Sequence, residues 1–165
     1  MKIDLSGKRA IVTGSTAGIG FAIARGLAGS GAEVLINGRS EKSVEAAVKK
    51  LGGKASGIAA DLGTAAGCAS FLAQAGEADI LVNNLGIFEP KPFGEISDAD
   101  WLRFFEVNVM SGIRLSRHYL PRMMRKDWGR IVFISSESGL NIPVEMVHYG
   151  MTKTAQLAVA RGLAQ

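Results

Sequence analysis

The 165-residue sequence predicts an α/β fold: one domain, residues 1–165, built as a doubly wound parallel sheet with helices on both faces. Three observations predict it. Short β-branched runs alternate with longer helical patterns; several of those runs are nearly continuous in apolar residues; and glycines cluster directly after the first run. Alternation of this kind implies crossover connections between parallel strands, hence a three-layer sandwich.

Taken in order, the strands are expected at Ala10–Thr13, Val34–Asn37, Ala55–Ala60, Ile80–Asn83 and Arg130–Ser135. The first, fourth and fifth are the most continuously apolar, as strands covered on both faces should be. Helical patterns fill the intervals at Ile19–Ala28, Glu41–Leu51, Ala65–Ala75 and Asp98–Lys126, and a last one begins near Val147. Pro121 should bend or break the fourth helix, and Ser97 or Asp98 is placed to cap its start. Gly29, Gly31, Gly52 and Gly53 punctuate helix ends. Phe88–Glu95, with two prolines, reads as a loop after the fourth strand, where parallel sheets carry ligands.

Composition narrows the function classes. The chain is 47% apolar and 21% charged, which suits a folded globular protein. No apolar run is long enough to span a bilayer and the first residues do not resemble a secretory leader, so a membrane role is not expected. Cys68 is the only cysteine, which excludes an internal disulfide and a cysteine-rich metal site and suits a cytoplasmic setting. No cluster of His, Cys and carboxylate residues suggests a metal. The net charge of +4 concentrates between Arg114 and Arg130, but Leu115, Tyr119, Leu120, Met123 and Met124 interleave there at helical spacing. That segment reads as an amphipathic helix with a basic outer side rather than a nucleic-acid groove.

After the first strand comes Thr13-Gly14-Ser15-Thr16-Ala17-Gly18-Ile19-Gly20. Glycines allow a tight turn and close backbone approach to a pyrophosphate, and the following helix would aim free N–H groups at it. The spacing differs from the common dinucleotide fingerprint, and no P-loop lysine is present. The second strand ends in Gly38-Arg39, where an acidic residue would favour NAD; a guanidinium there favours the 2′-phosphate of NADP. Asp61-Leu62 either touches the adenine edge or begins the cap of the next helix. Asn83-Asn84-Leu85-Gly86 closes the fourth strand with amides able to brace neighbouring loops and approach a cofactor.

Tyr149 and Lys153 are four apart, so on a helix the phenol and the ammonium share one face. A nearby cation stabilises phenolate, which makes a group that ordinarily titrates near about 10 a usable proton donor near neutrality. Ser136, just past the fifth strand, can steady the same substrate oxygen.

Together these segments resemble the short-chain dehydrogenase/reductase family of Rossmann-fold, NAD(P)-dependent oxidoreductases. The resemblance rests on Thr13-Gly14-x-x-x-Gly18-Ile19-Gly20, on Asn83-Asn84-Leu85-Gly86, on Asn108, and on Ser136 with Tyr149-x-x-x-Lys153. It implies hydride transfer between NADP(H) and a carbonyl or secondary alcohol. Tyr149 would exchange the proton, Lys153 would lower the phenol pKa and bond the nicotinamide ribose, Ser136 would position the substrate oxygen, and Asn108 would hold a water linking Lys153 to solvent. Gly14, Ser15, Thr16, Gly18, Ile19, Gly20, Arg39, Asp61, Leu62, Asn84 and Gly86, together with Tyr149 and Lys153, would form the cofactor site. A small-molecule substrate and a homodimer or homotetramer are implied; a catalytically silent dinucleotide-binding protein on the same fold is the alternative.

Two departures stand out. Leu85 occupies a position where the family commonly has alanine, and Gln165 falls inside the last expected helix, so later strands and the substrate lid of the family are expected to be missing. A chain of this length alone is expected to turn over little or no substrate.

Overall fold

This computed structural model describes residues 3–165. Five strands, β1 (Arg9–Val12), β2 (Glu33–Gly38), β3 (Ala55–Ala59), β4 (Ile80–Asn83) and β5 (Arg130–Phe133), form one sheet in the order β3-β2-β1-β4-β5, and every neighbouring pair is parallel. The chain winds outward from β1 to β3, returns to β4 beside β1, and winds outward the other way. This reversal opens a crevice beyond the carboxyl ends of β1 and β4, where doubly wound sheets bind their ligands.

Register decides which residues meet. Ala10, Ile11 and Val12 of β1 stand opposite Val34, Leu35 and Ile36 of β2 and opposite Ile80, Leu81 and Val82 of β4. Because side chains alternate along a strand, two cores result. Ile11, Leu35 and Leu81 bury against Phe71, Leu115 and Tyr119 of the helices α3 (Ala65–Ala75) and α5 (Ser111–Arg125). Ala10, Val12, Val34 and Val82 bury with Ala24 of α1 (Gly18–Gly29), and Leu51 of α2 (Glu41–Leu51) packs beside them. Each fully buried side chain of Leu or Phe size stabilises by about 1.5–3 kcal/mol, so both faces contribute substantially to holding the strand tips in place.

The remaining helices are α4 (Asp98–Phe105) and α6 (Val147–Leu163). Ser97 caps α4 in a capping box: its hydroxyl accepts from the Asp100 N–H, and the Asp100 carboxylate accepts from the Ser97 N–H. Lys91 and the Ser97 hydroxyl each donate to the same carboxylate at 2.7 Å, and these two bonds with that from the Ser97 N–H hold the Asp100 carboxyl well below the usual range.

Two expectations are corrected. The segment Asp98–Lys126 is not one helix broken at Pro121. Pro121 lies inside α5, where buried Leu115, Tyr119 and Met123 on either side hold the helix through it. The departure from α geometry comes earlier, at a π turn over Glu106–Met110, where the Ser111 N–H reaches back to the Glu106 carbonyl. The second correction concerns β5, whose apolar run reads as a strand covered on both faces. It is an edge strand with Val132 41% exposed, the unpaired edge expected where the family's next strand is not part of the chain. Apolar continuity reports side-chain type, whereas edge position follows from strand order.

Among the described residues, no helix is long and apolar enough to cross a membrane.

Candidate active site

The glycine turn joins β1 to α1 with two residues in the left-handed region, Gly14 and Gly18, each at φ +57°. Gly20 is required for a different reason. A Cβ there would lie 2.5 Å from the Asn84 amide nitrogen and 2.6 Å from the Gly14 carbonyl oxygen. That same Asn84 amide donates to the carbonyls of Thr13 (2.9 Å) and Gly14 (3.0 Å), clipping the turn to the end of β4. Thr13 reinforces the clip: its hydroxyl accepts from the N–H groups of Asn84 and Leu85, both at 2.9 Å. Helix α1 then begins at Ala17 with no side-chain cap and no acidic residue in its first turn. Its free N–H groups and positive dipole end therefore suit an anion at the crevice. Arg39, just past the tip of β2, is exposed and takes part in no ion pair among the described residues. These features fit a phosphorylated dinucleotide: a backbone cradle for its pyrophosphate, and a cation for charge at its adenosine end.

The second half of the site is assembled on α6. Lys153 is only 4% exposed, and its ammonium donates to the Ile134 carbonyl at the end of β5 (2.8 Å) and to the Gln156 side-chain carbonyl (3.2 Å). Burial pulls its titration down from 10.5 to about 8. The ammonium lies 5.5 Å from the centre of the Tyr149 ring, one helical turn back. Phe88, from the loop after β4, meets that ring edge-on at 6.3 Å between centroids.

Asn108, in the π turn, holds these pieces together. Its side chain accepts from the Ile87 N–H (2.7 Å) and donates to the Ile87 carbonyl (2.9 Å), fixing the loop after β4. It also donates to the Thr152 hydroxyl (3.0 Å), which in turn donates to the Tyr149 carbonyl (2.7 Å). The Asn108 backbone carbonyl accepts from the Gln156 amide at 2.7 Å. On the other side of α6, the Ser135 hydroxyl donates to the Lys153 carbonyl at 3.1 Å. A cleft of about 140 Å³ results, lined by Ile19, Asn84, Gly86, Ser135, Tyr149 and Lys153 among others. It joins the start of α1 to the Tyr149–Lys153 pair. A larger concavity, about 390 Å³, lies elsewhere, along β5 and the ends of α5 and α6, and contains none of these groups.

The expected site residues divide. Ile19, Asn84, Gly86, Tyr149 and Lys153 meet in the cleft, and Asn108 stands directly behind it. Gly14, Gly18 and Gly20 shape the turn, with Thr16 half-buried within it. Ser15 is turned inward. Its hydroxyl donates to the Val12 carbonyl and accepts from the Asn37 N–H, and its own N–H donates to the Asn37 carbonyl, so its hydroxyl and N–H both tie the turn after β1 to β2. Leu62 belongs to the core at 1% exposure, and its side chain offers nothing to adenine. Asp61 is exposed but forms a turn, its carboxylate accepting from the Gly63 N–H at 3.0 Å, while Thr64 caps α3. Ser136 is half-buried, and its hydroxyl accepts from the Ser138 N–H at the start of a 3₁₀ turn; Ser135 is the serine on the cleft wall. Leu85 packs partly buried against the core.

Sequence reasoning missed three polar residues, Asn37, Thr152 and Gln156, all buried. Asn37 donates to the carbonyls of Ile58 and Ala60 and so ties the tips of β2 and β3 together. Polar residues inside apolar elements are the signal that could have found them, since buried polar groups need partners. His148 is the opposite case: fully buried against Phe104 and Trp101, with both ring nitrogens unpartnered.

Residues 8–165 match the family described as short chain dehydrogenase. The chain belongs to that family. Among short-chain dehydrogenase relatives, the uncharacterised oxidoreductase YvaG of Bacillus subtilis is 51% identical over 170 residues, covering 100% of this chain and 64% of the relative. The 3-oxoacyl-[acyl-carrier-protein] reductase FabG of Aquifex aeolicus is 36% identical over 173 residues, covering 100% of this chain and 70% of its own length. The crystal structure of L-sorbose reductase from Gluconobacter frateurii, complexed with NADPH and L-sorbose, superposes with a TM-score of 0.92 at 32% identity. That match covers 99% of this chain and 65% of the reductase. This short-chain dehydrogenase chain thus spans 64–65% of the length of the two Bacillus subtilis relatives it matches.

Proposed function

We propose that the full-length protein is an oxidoreductase that moves hydride between NADP(H) and a carbonyl or secondary alcohol, with Tyr149 as the proton-exchanging group. The observation that carries this reading is the buried Lys153 ammonium held one turn from Tyr149 at the rim of the crevice. The nicotinamide, when bound, supplies or accepts the hydride. Tyr149 gives its phenolic proton to the carbonyl oxygen in reduction and takes a proton from the alcohol in oxidation. Lys153 keeps positive charge beside the phenolic oxygen and offers its remaining donor to the nicotinamide ribose. Ser136 steadies the substrate oxygen, and Asn108 positions the loop after β4 and α6 relative to each other. Fixed donors around a developing oxyanion are the largest single source of catalysis in such sites.

Arg39 supports NADP over NAD, because a planar guanidinium pairs well with a 2′-phosphate. The body of the substrate is taken to be apolar. Phe88, Leu140, Ile142 and Val144 are all exposed, and the Lys91 N–H joins their two loops by donating to the Glu145 carbonyl. The charges nearby are neutralised in pairs, Lys91 with Asp100 and Arg103 with Glu89. Exposed Leu102, Phe105 and Met124 on α4 and α5 support a homodimer or homotetramer, and the single cysteine of the sequence suits a cytoplasmic setting.

The test follows NADPH absorbance in the full-length protein against a panel of apolar ketones. Carbonyl-dependent oxidation that Tyr149→Phe lowers by at least about 10²-fold, the size of a general-acid contribution, is expected, with NADPH affinity unchanged. Tight NADPH binding with no turnover on any carbonyl would instead indicate a silent dinucleotide-binding protein.

A further inference from the structure

We propose that Gln156 is a positioning residue for the Lys153 ammonium, anchoring it through its side-chain amide to the backbone carbonyl of Asn108. The inference rests on the reductase reading for its consequence, but its geometry is independent of turnover. Gln156 lies one turn beyond Lys153 on α6 and is 1% exposed. Its nitrogen donates to the Asn108 carbonyl at 2.7 Å, and its oxygen accepts from the Lys153 ammonium at 3.2 Å. The orientation of the amide is dictated. Turned over, it would set N–H groups against an ammonium that has only donors, and an oxygen against a carbonyl that has only lone pairs.

The consequence concerns how Lys153 stays charged. An ammonium taken out of water loses its hydration, and acceptors aimed at the proton-bearing nitrogen must replace it. Ile134 supplies one such acceptor and Gln156 the other. Around the ammonium lie Tyr149 and Gln156 from α6, the Ile134 carbonyl just past β5, Asn108 from the π turn, and Gly86 from the loop after β4. Among these, Tyr149 is the one titratable side chain. Burial displaces the Lys153 titration downward, and no charged neighbour opposes it. Gln156, with the Ile134 carbonyl, fixes the direction of the ammonium, and on this proposal its acceptor oxygen limits how far burial loosens the proton. The π turn matters to this because it carries the Asn108 carbonyl on which the amide is anchored. A residue whose place on the helix suggests only interhelical packing thus reaches the reaction site through one hydrogen bond.

The experiment titrates Lys153 directly, by carbon NMR of the full-length protein carrying ε-13C-lysine, with the resonance assigned by its loss in Lys153→Arg. Gln156→Met keeps the length and burial but removes the acceptor. It should lower the Lys153 midpoint by about one pH unit, the worth of a hydrogen bond to a charged group. Gln156→Glu places a carboxylate beside the ammonium and should raise the midpoint. A merely structural residue would lower the melting temperature in both variants and leave the midpoint where it was. A midpoint in folded Gln156→Met within about 0.3 unit of the wild type overturns the proposal, that being well under the worth of such a bond. If Gln156→Met does not fold, Gln156→Glu decides alone, and an unchanged or lowered midpoint overturns it. Absence of reductase activity would sink the functional reading without touching these titrations.

Discussion

Two glycines in the same helix should respond in opposite ways to a single methyl group. Both Gly20 and Gly26 lie in α1 at helical backbone angles, so alanine at either gains about 1 kcal/mol of helix propensity. At Gly26 the added carbon meets nothing within 4 Å, and that gain stands alone. At Gly20 it lies 2.5 Å from the Asn84 amide and 2.6 Å from the Gly14 carbonyl, against 3.4 Å for ordinary contact. Relief requires α1 to back away from the turn or Asn84 to leave it. Overpacking of this kind costs about 1–3 kcal/mol. Displacing the amide also weakens its two hydrogen bonds to Thr13 and Gly14, at about 1 kcal/mol each. After the propensity gain is subtracted, Gly20→Ala should lose about 3 kcal/mol. For a domain of this size that is a fall of roughly 6–12 °C in Tm. Gly26→Ala should rise by about 2–4 °C, the equivalent of its 1 kcal/mol. Differential scanning calorimetry of the two variants beside the parent measures both. Equal shifts for the two would refute the claim that Asn84 and the turn occupy the space above Gly20. The Gly20 variant should also bind dinucleotide more weakly, since the displaced turn is the proposed phosphate cradle.

Arg39→Ala should weaken NADPH binding about tenfold, the worth of one charge-assisted hydrogen bond, and leave NADH binding unchanged, as read by nicotinamide fluorescence titration; equal losses for both would remove the 2′-phosphate assignment. His148 has its pKa lowered by burial, so the folded protein binds fewer protons than the unfolded chain as pH falls below 6.5. Stability should therefore be full above pH 6.5 and fall as pH drops through the folded value. His148→Phe should flatten that decline in urea titrations, leaving the part due to His118, which burial shifts the same way.

The fold was legible because its signals are local and repetitive. Glu41–Leu51 and Ala65–Ala75 are helices over the same residues that periodicity predicts, and Ile80–Asn83 is likewise the strand expected. Tyr149, Lys153 and Asn84 were also legible, since a four-residue spacing or a strand end places a side chain whatever surrounds it. What escaped depended on distant partners. The π turn at Glu106–Met110 carries no composition signal; it is visible only once Asn108 meets Ile87 from the loop after β4 and Gln156 from α6. The burial of the Ser15 and Leu62 side chains was not legible from their loop positions. Ser15 lies within reach of Asn37, and Leu62 is drawn into the core with Cys68 and Phe71. Pro121 shows the reverse: a strong local breaker overruled by burial before and after it.

The Asn108 junction carries a consequence for how the protein opens. The Asn108 side-chain amide accepts from the N–H and donates to the carbonyl of Ile87 and reaches Thr152, while its backbone carbonyl accepts from Gln156. Hydrogen exchange in the loop after β4, the π turn and the first half of α6 should then proceed as a single cooperative unit. A chain in which Tyr149 is seated while Lys153 is loose has no stable place on this landscape, so the two groups are delivered to the crevice together or not at all.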